Sequence, residues 1–318
     1  MLRAEHEWCR RPRLVTGLAL GLVFATVPHG VAQDTTVPFA VAVWGQGNVL
    51  LPFADFDGRR WRGSWPEPVN GEPDIRPIPQ IPRAWWGRSA FAPTWEIVQR
   101  DGLRRSARVT GTGAGALGSG CSINIGLKTD IAGNKDEYGS ALASNRPGVI
   151  EPVRPLLSGT SDWTVVSQLL PDIYRRHEGP VWADLADDFK PDLARPLSAP
   201  VLDTAFALAD ERGEYVYFET SRRFATRDGQ LGDEHTFVAG WLWRRSPAMP
   251  FQAVMIRAGR RDEDGKGETS FQPLGAVRHG GQQFWFALFG GYAYSGMAVL
   301  DVRRAGVRQL LTIAYPGC

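Results

Sequence analysis

A chain of 318 residues with 43% hydrophobic and 22% charged residues is ordinary for a globular protein and too balanced for a disordered one. Its 36 Lys+Arg nearly match its 34 Asp+Glu, and setting aside residues 1–32, with four Arg and two Glu, leaves 32 of each sign. That neutrality argues against a nucleic-acid or anionic-membrane partner held mainly by charge.

Residues 1–32 have the three parts of an export signal. Arg10, Arg11 and Arg13 form a basic stretch, residues 14–27 an uncharged apolar run, and Gly30 and Ala32 place small residues before a cut at Gln33. The apolar run is shorter than the roughly 20 residues of a spanning helix. The sequence therefore predicts an exported protein, periplasmic or extracellular, with no integral membrane span in the mature chain. Pro12 and Arg13 depart from a twin-arginine pattern, and His6-Glu7-Trp8 before Cys9 is not a lipoprotein signal. Removal of the signal leaves two cysteines, Cys121 and Cys318. An even pair in an oxidising compartment predicts a disulfide, which would tie the last strand to the N-terminal half.

Beyond the signal, turn dipeptides punctuate extended runs. Gly47-Asn48 separates residues 39–44 from 49–56, Asp57-Gly58 separates the latter from 59–65, and Asp101-Gly102 separates 95–100 from 103–109. Such pairs supply the positive φ that tight hairpins need. Residues 66–82 carry six prolines, each lacking a ladder donor, so residues 75–82 read as an extended surface segment. Residues 162–178 place Trp163, Val166, Leu169, Leu170, Ile173 and Tyr174 at helical spacing, with Ser161 or Asp162 as cap. Pro171 is expected to kink or split that helix, and Val181, Trp182, Leu185 and Phe189 continue the spacing. Further hairpins are expected around residues 210–213, Gly290-Gly291 and residues 304–306.

The fold class that follows is mostly β, an antiparallel meander forming a sandwich or a barrel, with a short helical insert. Its expected parts are a signal (1–32), an N-terminal β region (33–155), the helical insert (156–195) and a C-terminal β region (196–318) packed on the first. A propeller is disfavoured, since no signature recurs at blade spacing. The turn at Gly58-Arg59-Arg60-Trp61 is similar to the Asp-box of sialidase propellers, but Phe56 stands where the aspartate belongs.

Chemistry is sparse. Gly113-Ala114-Gly115-Ala116-Leu117-Gly118 spells the dinucleotide fingerprint, but a strand-like segment follows where a helix must open, so a flexible glycine-rich loop is expected. His177, His235 and His279 are far apart, and no pair of His or Cys stands at ligand spacing. The acidic loop 262–268 contains Lys266 and lacks the alternating order of a calcium loop. No cofactor or metal is expected. Trp85, Trp86 and Trp95 are the candidate ligand-binding aromatics, for a glycan or an envelope protein. Asp55 with Asp57, or Asp184 with Asp187 and Asp188, are the carboxylates a glycoside hydrolase would use. The sequence thus points to an exported binding or envelope-structural component, with a secreted carbohydrate hydrolase as the alternative.

Overall fold

The computed structural model describes residues 37–63, 77–80, 92–116, 123–133, 139–183, 190–192, 198–224, 235–261, 269–291 and 294–316. The strands are β1 (Phe39–Gly45), β2 (Val49–Phe56), β3 (Trp61–Arg62), β4 (Thr94–Gln99), β5 (Arg104–Ala116), β6 (Ile123–Thr129), β7 (Ala141–Ser144), β8 (Ile150–Glu151) and β9 (Arg154–Pro155). After helix α1 (Ser161–Ala183) come β10 (Val201–Asp210), β11 (Gly213–Arg223), β12 (His235–Arg244) and β13 (Gln252–Arg261). The chain continues through β14 (Ser270–His279), β15 (Gln282–Gly291), β16 (Tyr294–Arg303) and β17 (Gly306–Pro316). All strand pairs among the described residues are antiparallel, and the mostly β expectation holds.

Both architectures expected as alternatives are present. The first sheet runs β1-β7-β4-β5-β6-β2, and β1 pairs again with β2, closing six strands into a barrel that β3 extends at one side. So narrow a ring must be filled with small side chains. Ala40, Ala42, Ala107, Ala141 and Ala143 provide that room around Trp44 and Trp95, with Leu50, Ile97 and Leu127 completing the interior. Trp95 is 1% exposed, so the surface aromatic expected there is a core residue. Alternation along β4 turns it inward with Ile97.

The glycine-rich loop is also corrected. Gly113 and Gly115 lie within β5, where a Cβ on Gly115 would collide with the Val49 side chain. On the neighbouring strand a Cβ on Gly126 would stand 2.6 Å from the Leu50 carbonyl oxygen. These glycines let β5 and β6 pass β2 at close range. The turn at Gly47 and Asn48 has both residues in the left-handed region (φ 79° and 61°), as its dipeptide predicts. Asp57 Oδ1 accepts the amides of Arg59 and Arg60 (3.0 and 2.9 Å), fixing the next turn.

Outward side chains of the barrel strands, Phe39, Val41, Val43 and Phe53, pack on Val277, Phe284, Phe286, Met297 and Val299. These belong to a second sheet, β8-β14-β15-β16-β17. Its opposite face, with Trp285, Ala298 and Leu300, meets Phe206, Tyr217, Trp241 and Trp243 of a third sheet, β9-β10-β11-β12-β13, to make a sandwich. The far side of that third sheet carries Ala205, Ala207, Val216, Phe218, Val238 and Leu242, which α1 covers. The layers are therefore barrel, sheet, sheet and helix, with strands such as β1 and β15 alternating between two cores. Residues 150–155 serve both sheets, pairing β8 with β14 and β9 with β10.

Several expected boundaries move. Helix α1 does not split at Pro171; it runs through both Pro171 and Pro180. Each proline forfeits one helical hydrogen bond. Val166, Leu170, Tyr174 and Glu178 form one buried row spanning Pro171, and this row anchors both halves of the helix on the sheet. The cap is Thr160, whose Oγ1 accepts the Trp163 amide at 3.4 Å, rather than Ser161 or Asp162. Gly290 and Gly291 belong to β15, paired with Ser295 and Tyr294 of β16, so they are strand residues rather than the turn expected there. Within the proline-rich segment, Ile78–Gln80 forms a 3-10 turn closed by the Gln80 amide on the Pro77 carbonyl, where an extended segment was expected. The expected signal and all three cysteines lie outside the described residues, as does the acidic loop 262–268. No helix among the described residues is long and apolar enough to cross a membrane.

Candidate functional site

Helix α1 is fastened to the third sheet at both ends by buried charge. Near its start, Asp162 accepts hydrogen bonds from Arg244 (3.0 Å) and Arg154 (3.1 Å), while Arg244 Nε also donates to Glu214 at 2.6 Å. Burial pushes the Asp162 carboxyl up, but the two guanidinium groups outweigh it and hold the group below the usual aspartate range. Toward its end, Glu178 takes hydrogen bonds from Arg222 (2.7 Å) and from the Thr236 hydroxyl. Here burial wins, and the Glu178 carboxyl is raised despite both partners. Between these ends Tyr174 reaches Thr220 at 3.1 Å, and burial raises its phenol.

Between the two fastenings, where α1 packs over β12 and β13, a shallow groove of about 160 Å³ remains along the helix flank. Its walls are Leu169 and Ile173 from α1, Leu242 from β12, Phe251 just before β13, and Ala253 and Ile256 within it. Asp172, Arg176 and His177 form the rim. The helical residues share one face, because positions 169, 172, 173, 176 and 177 recur at the helical period, one step round from the buried row. Ala253 keeps the strand side low. One face of the Phe251 ring is taken by Arg244, at 4.4 Å from the ring centre.

The rim charges differ in their commitments. Asp172 pairs with Arg175 at 2.9 Å. Arg176 and His177 make no hydrogen bond or ion pair among the described residues, although every other charged side chain of α1 is paired. A groove with apolar walls and two nitrogen donors on its lip is suited to a group with an apolar body and an anionic end.

The residues singled out in the sequence do not assemble there. Trp95 is inside the barrel, and Trp85 and Trp86 lie outside the described residues. Asp55 is 1% exposed beside Asp57, which is occupied by its turn and by Arg62 at 3.0 Å. Asp184, Asp187 and Asp188 lie outside the described residues, and no cluster of His, Cys, Asp or Glu among the described residues can hold a metal ion. Sequence reasoning passed over Arg176 and weighed His177 only as a catalytic candidate. Their spacing from Leu169 and Ile173 was the available signal, yet it also describes an ordinary helix flank. No family model, curated protein or solved structure matches the chain.

Proposed function

We propose that the protein is an exported binding component, and that the groove between α1 and β13 takes an apolar group carrying a carboxylate or similar anion. Export rests on the three-part segment of residues 1–32. The groove reading rests on one observation: among the described residues Arg176 and His177 stand uncommitted over apolar walls while the remaining charges of α1 are paired. A glycan is the poorer occupant, since the described lining holds no tryptophan and its phenylalanine already stacks on Arg244.

Titration with N-dansyl-leucine, an apolar body with one carboxylate, tests the groove by fluorescence. Saturable binding that Ile173→Asp abolishes and Arg176→Glu weakens about tenfold supports the reading. Binding indifferent to both substitutions in folded protein would overturn it. Mass spectrometry of protein from its native host tests export, which requires an N-terminus at or near Gln33.

A further inference from the structure

We propose that the natural occupant of this groove is an extended acidic segment of another polypeptide, which adds to β13 as one more strand. The proposal rests on the groove being the binding site, as argued above, and identifies the class of ligand.

Strand β13 is the last in its sheet, paired on one side with β12 alone among the described residues. A terminal strand presents a row of backbone donors and acceptors that an incoming strand can take up. Long edges are normally guarded by charge, and β13 is guarded unevenly. Arg257, Arg260 and Arg261 occupy its second half, whereas Gln252, Ala253, Val254, Met255 and Ile256 carry no charge. The unguarded half is the half that borders the groove, which Ala253 and Ile256 help to line. Met255 (38% exposed) and Met249 (52%) add exposed apolar surface at the same end.

Geometry then sets the ligand. A segment laid along β13 directs alternate side chains to the α1 side of the sheet, where the groove receives them. Backbone pairing supplies affinity that does not depend on sequence, and the groove selects side chains. A carboxylate next to an apolar residue would meet Arg176 and His177 at the lip. A second copy of β13 meets this requirement poorly, because residues 252–261 contain no acidic side chain.

The test uses the full chain and a library of fluorescein-labelled octapeptides that alternate apolar and acidic residues, read by anisotropy. Each binder is compared with an analogue N-methylated on alternate amides, which keeps its side chains but removes the donors of one strand edge. We expect binding that N-methylation in one register weakens at least about tenfold, that Arg176→Gln weakens several-fold, and that slows amide exchange in β13. N-methylated peptides that bind as well as their parents, still dependent on Arg176, would overturn strand addition and leave the groove reading standing. N-dansyl-leucine binding without any peptide binding has the same meaning. Failure of both probes overturns both readings. Self-association of the chain that Met255→Lys abolishes would assign the edge to a second copy and refute the proposal.

Discussion

The barrel holds its interior with alanines packed around two tryptophan rings, whereas the layer of α1 on the third sheet is held by ion pairs at either end of an apolar row. Closure leaves the barrel ring without edges; the third sheet ends at β13, which among the described residues pairs with β12 alone. Around the tryptophan rings of the barrel the packing residues are apolar, so stability there depends chiefly on fit. Where guanidinium and carboxylate groups are buried together, it also depends on pH, and the groove proposed as a binding site lies between two such groups.

Four measurements would break or sharpen that contrast. Trp95→Ala should cost most, about 3–5 kcal/mol, because it empties a cavity that a closed ring cannot fill by collapse. Urea unfolding should show this loss unchanged across pH; a loss that varied with pH would mean that the barrel core is coupled to a titrating group. Arg244→Ala should cost about 3 kcal/mol by leaving buried Glu214 with only the longer 3.5 Å contact to Arg154. Adding Glu214→Gln should recover a good part of that cost, and a double-mutant cycle showing no coupling would contradict the pairing. Thr160→Ala should cost about 1 kcal/mol, the usual value of an N-cap, with loss of helical signal confined to α1.

The smallest effect is a slope. Because burial raises the native carboxyl of Glu178 above its unfolded value, the folded state holds more protons in that window. Stability from this group therefore falls as pH rises from the ordinary glutamate value through the raised one. Asp162 is shifted the other way, so its contribution is lost as pH falls from the ordinary aspartate value through the lowered one. Glu178→Gln should flatten the first slope and spare the second, read as urea midpoints between about pH 3 and 8. A slope that survives the substitution would place its origin elsewhere.

Local features of this molecule were legible where local chemistry decides them. Gly47-Asn48 and the Asp-Gly pairs gave their turns because few residues tolerate positive φ, and the helix was legible in the spacing of Val166, Leu170 and Tyr174. Features set by distant partners were not. The barrel closes when β1 meets β7, a pairing that no local pattern in either strand encodes. Trp95 reads equally as a platform or a core ring until the alanines opposite are known. Gly115 reads as loop unless Val49 is known to press on it. Strands β12 and β13 went unnamed because no strong turn dipeptide separates their apolar runs. The groove belongs to the same class, since Arg176 acquires its meaning from β13, far along the chain.

The crossing segment of residues 150–155 has a consequence for the order of assembly. Every pairing inside the barrel joins residues that precede it, so a chain growing from its N-terminus can finish the ring early. Strands β8 and β9 come next but must wait, β9 for β10 and β8 for β14, which emerges only after the whole third sheet. During that interval the barrel's apolar flank of Phe39, Val41 and Phe53 has no cover, since its covering sheet is the last part made. Such long-delayed contacts slow folding and expose sticky surface. Under the export proposed above, the chain would pass through this interval on the far side of a membrane, with that flank exposed until β14 to β17 arrive.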